Sequence, residues 1–200
     1  MGVKGNSEQG AKSRRKGVAF ERTTANQFSD AFAIGCRRTP SSGAYGAEWK
    51  MSGDLMFSER FDWYVELKKQ ESWHTAHLFS WPTGPIPKWW DKAKKEAAFS
   101  EQYPLLIVAR NHVPPLMIMQ WSAWDHIGEL GGYEQQDWNQ NALRSGHRPA
   151  HLVLGGMVSE PQIADEKLIV FRMDYILDNR KICTAMQEVR IQRTTNEVRF

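Results

Sequence analysis

Residues 63–69, Trp-Tyr-Val-Glu-Leu-Lys-Lys, alternate with a period of two. Trp63, Val65 and Leu67 fall on one side of an extended chain, and Tyr64, Glu66 and Lys68 on the other. The pattern predicts a strand with one face turned to an apolar core and an acid beside a base on the opposite face. Shortly before it, Ser52-Gly53-Asp54 opens a second predicted strand, Asp54 to Ser58. Ser58-Glu-Arg-Phe-Asp62 is expected to link the two as a hairpin. An acid at the start of one strand and Glu-x-Lys on the next would bring two carboxylates and an ammonium to one place.

A third acid lies upstream. Gly17 to Phe32 reads as a helix, because Ala25, Phe28 and Phe32 recur at helical spacing. Glu21 precedes Ala25 by four residues and extends the same stripe. An acid on a core-facing stripe is costly unless something pairs with it. Glu21 therefore belongs to the same candidate site as Asp54, Glu66 and Lys68.

The tripeptide Glu-x-Lys has little meaning alone, since the chain holds a second copy, Glu48-Trp49-Lys50. Context separates the two. The first copy lies in a Gly/Ser-rich stretch with no acid shortly before it. The second lies on an alternating strand, after Ser-Gly-Asp and after a helical Glu.

Such a set suits phosphodiester hydrolysis, which needs a nucleophilic water, charge stabilisation on the phosphate and help for the leaving oxygen. Mg²⁺ prefers hard oxygen ligands. Asp54 and Glu66 would supply carboxylates, the backbone carbonyl of Leu67 a further ligand, and Glu21 a contact to a second ion or to a metal-bound water. Lys68 would orient the attacking water or neutralise the phosphate.

The rest of the chain reads as an α/β pattern around a mixed sheet. Residues 35–53, with Cys36-Arg37-Arg38-Thr39-Pro40-Ser41-Ser42-Gly43-Ala44, are expected to form a loop, with a strand if 47–53 contributes. Lys88 to Tyr103 reads as a helix with Pro87 near its start. Leu105–Ala109 and Leu116–Trp121 read as strands and Trp124–Leu130 as a short helix. Beyond Gly131, loops are expected around a short strand near Leu152–Leu154. Leu168–Phe171 reads as a strand, and Met173–Leu177 as the start of a helix or turn.

The chain has 200 residues, enough for one domain with a full core. Its net charge of +3 is uneven: Lys4, Lys12, Arg14, Arg15 and Lys16 face only Glu8 in residues 1–16. That stretch reads as a flexible basic arm, ahead of a single domain over 17–200 with its core at about 17–121 and a C-terminal extension at 122–200. Basic arms suit nucleic acid phosphates. Arg37 and Arg38 in the predicted loop, and Lys88, Lys92 and Lys95 on the predicted helix, extend this candidate nucleic-acid surface. Most of the nine tryptophans are expected in the core. Two cysteines imply neither a disulfide framework nor a Cys-rich zinc site. No apolar run spans a bilayer and no secretory leader is visible, so the expected setting is cytoplasmic. His74/His77 and His147/His151 have no cysteine or acidic cluster nearby, and the glycine-rich segments match neither a P-loop nor a dinucleotide fingerprint.

Gly17-Val-Ala-Phe-Glu21, Ser52-Gly-Asp54 and Val65-Glu66-Leu-Lys68 together resemble the PD-(D/E)xK nuclease superfamily. The pattern is most similar to its Holliday-junction-resolvase-like branch, which includes phage-type junction endonucleases. The resemblance spans roughly residues 14–110 and departs from the motif in placing Gly53, not proline, before Asp54. It implies a restriction-endonuclease-like αβββαβ core, dependence on Mg²⁺ or Mn²⁺, and cuts that leave 5′-phosphates. It maps metal ligands onto Glu21, Asp54 and Glu66 and the catalytic lysine onto Lys68. It also implies a homodimer, because two symmetric nicks need two sites, and a bacterial or phage-infected host cell as the setting. The expected activity is a metal-dependent DNA endonuclease acting on branched DNA. Two alternatives share the core: a sequence-specific restriction- or repair-type endonuclease, and a catalytically inert nucleic-acid-binding protein.

Overall fold

The structure is a computed structural model that describes residues 4–40, 53–78, 84–131, 151–154 and 168–190. The chain opens with a long helix, α1 (Lys4–Phe32), then two short strands, β1 (Cys36–Arg38) and β2 (Leu55–Phe57), and the alternating strand β3 (Trp63–Lys69). A 3-10 turn at Thr75–Leu78 leads to α2 (Pro85–Phe99), then β4 (Tyr103–Arg110), β5 (Val113–Gln120) and α3 (Trp121–Leu130). The C-terminal part adds β6 (His151–Leu154), β7 (Leu168–Arg172), α4 (Met173–Leu177) and α5 (Arg180–Glu188).

Five strands form one mixed sheet in the order β3-β4-β5-β7-β6. β3 and β4 run parallel and the other pairs antiparallel. Parallel neighbours need a crossover, and α2 provides it. The αβββαβ order anticipated from the sequence is thus present as α1-β1-β2-β3-α2-β4 around a mixed sheet.

The sheet separates two apolar layers. On one side Val65, Leu67, Leu105, Ile107, Met117, Met119, Ile169 and Phe171 pack with Phe28 and Phe32 of α1, Ile127 of α3, and Ile182 and Met186 of α5. On the other side Leu106, Val108, Ile118 and Val170 pack with Trp73, Ile86 and Trp90. Trp63, Trp73 and Trp90 are fully buried. The indole N–H of Trp63 donates to the Met186 carbonyl (2.9 Å), and that of Trp73 to the Ala109 carbonyl (3.0 Å). Buried indoles usually find such acceptors; among the described residues the Trp90 indole N–H has none.

Several expectations are corrected. Residues 36–38 are not loop: they pair antiparallel with 55–57, Arg37 opposite Met56. Only three residues pair, too short a run for its alternation to stand out. The 41–52 part of that loop, including all but Gly53 of the strand considered at 47–53, lies outside the described residues. Residues 54–58 and 63–69 do not form a hairpin. β2 pairs with β1, and the chain bridges to β3 two residues before β2, in a parallel bridge from Gly53 to Val65. A hairpin requires antiparallel partners, whereas the Asp54 side chain occupies the Leu67 N–H that a continuing ladder would use.

α2 starts at Pro85 and ends at Phe99, so Tyr103 belongs to β4. The helix stops where Glu101 turns to a left-handed backbone (φ 52°). Residues 4–16 are helical and continuous with α1, which places Arg14 and Arg15 on an exposed helical surface. Gln9, Ala11, Lys12, Arg14, Arg15 and Lys16 there are residues of good helix propensity. α5 was not anticipated; Asn179 caps it by accepting from the Ile182 N–H (3.3 Å). Among the described residues no helix is long and apolar enough to cross a membrane.

Candidate active site

β3 closes one end of the five-stranded sheet, and Asp54 sits against its outer edge. The Asp54 backbone N–H donates to the Val65 carbonyl (2.8 Å), and its carboxylate accepts from the Leu67 N–H (2.7 Å). The Asp54 carbonyl in turn accepts from the Thr39 N–H (2.9 Å), which ties the end of β1 to the same point. Gly53 makes this approach possible. Its φ is +92°, and a Cβ there would lie 2.5 Å from the Val65 carbonyl oxygen. Proline, fixed near φ −65°, cannot occupy such a position, which explains the departure from the familiar motif.

Glu66 and Lys68 point to the side of the sheet covered by α2. Glu66 is 2% exposed. Its Oε1 lies 2.5 Å from Lys68 Nζ and 2.9 Å from Lys92 Nζ, a residue of α2. Its Oε2 accepts weakly from the Tyr64 hydroxyl (3.4 Å), which also donates to Glu96. Glu21 comes from α1 and pairs with Arg38 of β1. Glu21, Glu66 and Lys68 all act electrostatically on Asp54. Asp54, Glu66 and Lys68 thus lie together along β3, and Glu21 is tied to Arg38, which stands opposite Leu55, the residue after Asp54.

Charge crowding shows in the acidities. Burial, with the Glu66 charge behind it, pushes the Asp54 carboxyl up to about 6, although the Leu67 N–H and Lys68 pull the other way. Burial also pulls Glu66 upward, but the Lys68 and Lys92 ammoniums outweigh it and hold Glu66 below the usual carboxylate range. Burial opposes the charge on Lys92, yet Glu66 and Glu96 raise its pKa above the ordinary lysine value. Tyr64 is driven upward by burial and by its bond to Glu96, so its hydroxyl stays a donor.

Among the described residues no three His, Cys, Asp or Glu side chains form a ready metal cluster. Each acid is instead met by a donor within the chain: Glu21 by Arg38, Asp54 by a backbone N–H, and Glu66 by two lysines. The donor set nonetheless suits a hard divalent cation. Asp54 and Glu66 offer carboxylate oxygens, and mutual repulsion among the acids is the kind of strain a cation relieves. The N–H and C=O of one strand residue point to the same side. Leu67, whose N–H meets Asp54, thus turns its carbonyl to the same edge.

The candidate nucleic-acid residues divide into two groups. Arg14, Arg15, Arg37, Lys88 and Lys95 are exposed. Arg38 and Lys92 instead reach inward to Glu21 and Glu66. Sequence reading missed this inward role, and it missed Tyr64 and Glu96 altogether. Tyr64 carried a usable signal, since it shares the face of Glu66 and Lys68. Lys92 and Glu96 stand four apart on a helix, so each implied the other but not the strand acid they meet. Near the site, on the α1 side, a groove of about 290 Å³ is lined by Lys16, Phe20, Thr23, Lys69 and Asn111. Lys69 Nζ stands 5.7 Å from the Phe20 ring centroid.

A family described as "Phage putative PDDEXK endonuclease" matches residues 12–145, two thirds of the chain. No curated protein and no solved structure matches.

Proposed function

The chain belongs to the phage PDDEXK endonuclease family, and on that premise we propose that it is a Mg²⁺-dependent DNA endonuclease acting on branched DNA such as four-way junctions. The observation that carries the reading is the meeting of Asp54, Glu66 and Lys68 at the edge of β3, with Glu21 close enough to act on Asp54. Asp54, Glu66 and the Leu67 carbonyl would hold Mg²⁺ or Mn²⁺, and Glu21 a second ion or a bound water. When bound, the ion supplies an activated water and charge stabilisation at the phosphate.

The chain's own residues then have separate tasks. Asp54 locks β2 to β3, so the carboxylates keep their relative positions. Lys68 is already beside Glu66 and can turn its ammonium toward the attacking water or the phosphate. The exposed Arg14, Arg15, Arg37, Lys88 and Lys95 offer contacts to the sugar-phosphate backbone, which position a duplex by shape more than by sequence. Two nicks placed symmetrically across a junction call for two copies of the site and hence a homodimer, working inside the bacterial or phage-infected cell.

The test is a Mg²⁺ titration with a labelled four-way junction, a linear duplex and a single strand. Preferential cutting of the junction is expected. Cleavage of plain duplex at one sequence would replace this reading with a restriction- or repair-type enzyme. Binding without cutting at any metal concentration would leave a nucleic-acid-binding protein.

A further inference from the structure

Two ammonium groups share one oxygen of Glu66, and they are not equivalent. Lys68 is on the same strand, two residues away, and is 23% exposed. Lys92 reaches across from α2, and its side chain is 51% exposed. One helical turn further on, Glu96 Oε1 lies 3.6 Å from Lys92 Nζ. Glu96 is itself held by the Tyr64 hydroxyl. Lys92 therefore stands between two acids, one enclosed at the site and one at the helix surface.

On the premise that Glu66 is a metal ligand, we infer that Lys92 is a positioning residue that acts as the counter-ion of the metal-free site, holding Glu66 and transferring to Glu96 when a divalent cation arrives. A divalent ion at Glu66 and an ammonium on the same oxygen repel each other. Of the two lysines, Lys92 is the one with a second carboxylate already within reach. Lys68 keeps its place beside the reacting groups. With no metal present, Lys92 adds a second positive charge beside the buried Glu66, on top of that of Lys68.

The experiment measures Mn²⁺ binding to the full chain without nucleic acid, by electron paramagnetic resonance or calorimetry, so it does not depend on cleavage. Lys92→Met keeps the aliphatic stem and removes the charge; it should bind Mn²⁺ about tenfold more tightly. Lys92→Arg keeps the charge and should stay within about twofold of the native chain. Glu96→Gln keeps an acceptor for Tyr64 but removes the second resting place, so it should weaken Mn²⁺ binding by about threefold or more. In the Lys92→Met background the Glu96→Gln effect should largely vanish, because the two residues act through each other. Unchanged or weaker binding by Lys92→Met would overturn the inference. So would a Glu96→Gln effect of equal size in both backgrounds. If the native chain takes up no Mn²⁺, the metal-site reading falls and this inference with it. If the native chain binds and Lys92→Met binds no tighter, only this inference falls.

Discussion

β3 and β4 lie side by side in parallel register, Glu66 opposite Leu106 and Lys68 opposite Val108, yet they are built to opposite rules. β4 is apolar on both faces, with Leu105 and Ile107 on one and Leu106 and Val108 on the other, all fully buried. Such continuous burial is what a strand paired on both sides and covered by helices demands. β3 keeps the apolar face with Val65 and Leu67 but places Tyr64, Glu66 and Lys68 under α2. It can do so because it ends the sheet. Gly53 and Asp54 occupy its outer edge in place of another full ladder, which also blunts the edge against pairing with other chains. Continuous apolar burial is in β4 and the candidate site is on β3, one strand apart.

The largest effect that would break this contrast is on cleavage. Asp54→Asn, Glu66→Gln or Lys68→Ala should each reduce cutting by about 10³-fold or more while leaving DNA binding largely intact. Cleavage of labelled DNA beside fluorescence anisotropy reads both, and full activity in any of the three would remove the proposed site. On β4 the consequence should be reversed. Leu106→Ala or Ile107→Ala should cost about 2–5 kcal/mol in urea unfolding, with native activity per folded molecule.

A smaller effect sharpens the contrast within β3's own environment. The folded-state pKa of Asp54, about 6, lies above its unfolded value, so ionising it opposes folding. Without metal, that cost grows as pH rises from about 4 through about 6 and is complete above that window. Asp54→Asn should therefore be about 1–3 kcal/mol more stable than the native chain at pH 7, and the difference should vanish below about pH 4. Urea melts across this range would show it; a destabilised variant at pH 7 would contradict the assignment. The smallest effect lies outside both strands. Replacing Arg14 and Arg15 by Ala should weaken DNA binding a few-fold at low salt and lower the salt slope by about 2, with kcat unchanged.

Much of this arrangement was legible without coordinates. The alternation over 63–69 placed Glu66 and Lys68 on one face and Val65 and Leu67 on the other, as the two sides of the sheet bear out. The helical stripe of Ala25, Phe28 and Phe32 is buried as its spacing required. What failed was pairing. Cys36–Arg38 reads as loop from the sequence because three residues show no period, yet it pairs with β2. The 58–62 segment has the length of a hairpin link, but the partner of β2 is β1. Arg38 and Lys92 were counted among the outward-facing cations for the same reason: their acids lie 17 and 26 residues away.

The sequence alone determined the local order: an alternating strand, an amphipathic helix, and a set of acids with a lysine at spacings that suit one metal-dependent site. The strand and the helix follow from side-chain periodicity over a few residues. Tertiary structure alone decided which cation meets which acid and why Gly53 precedes Asp54. Those outcomes depend on how α1 and α2 pack on the sheet and how closely β2 approaches β3, and such distances are set between segments far apart in the chain.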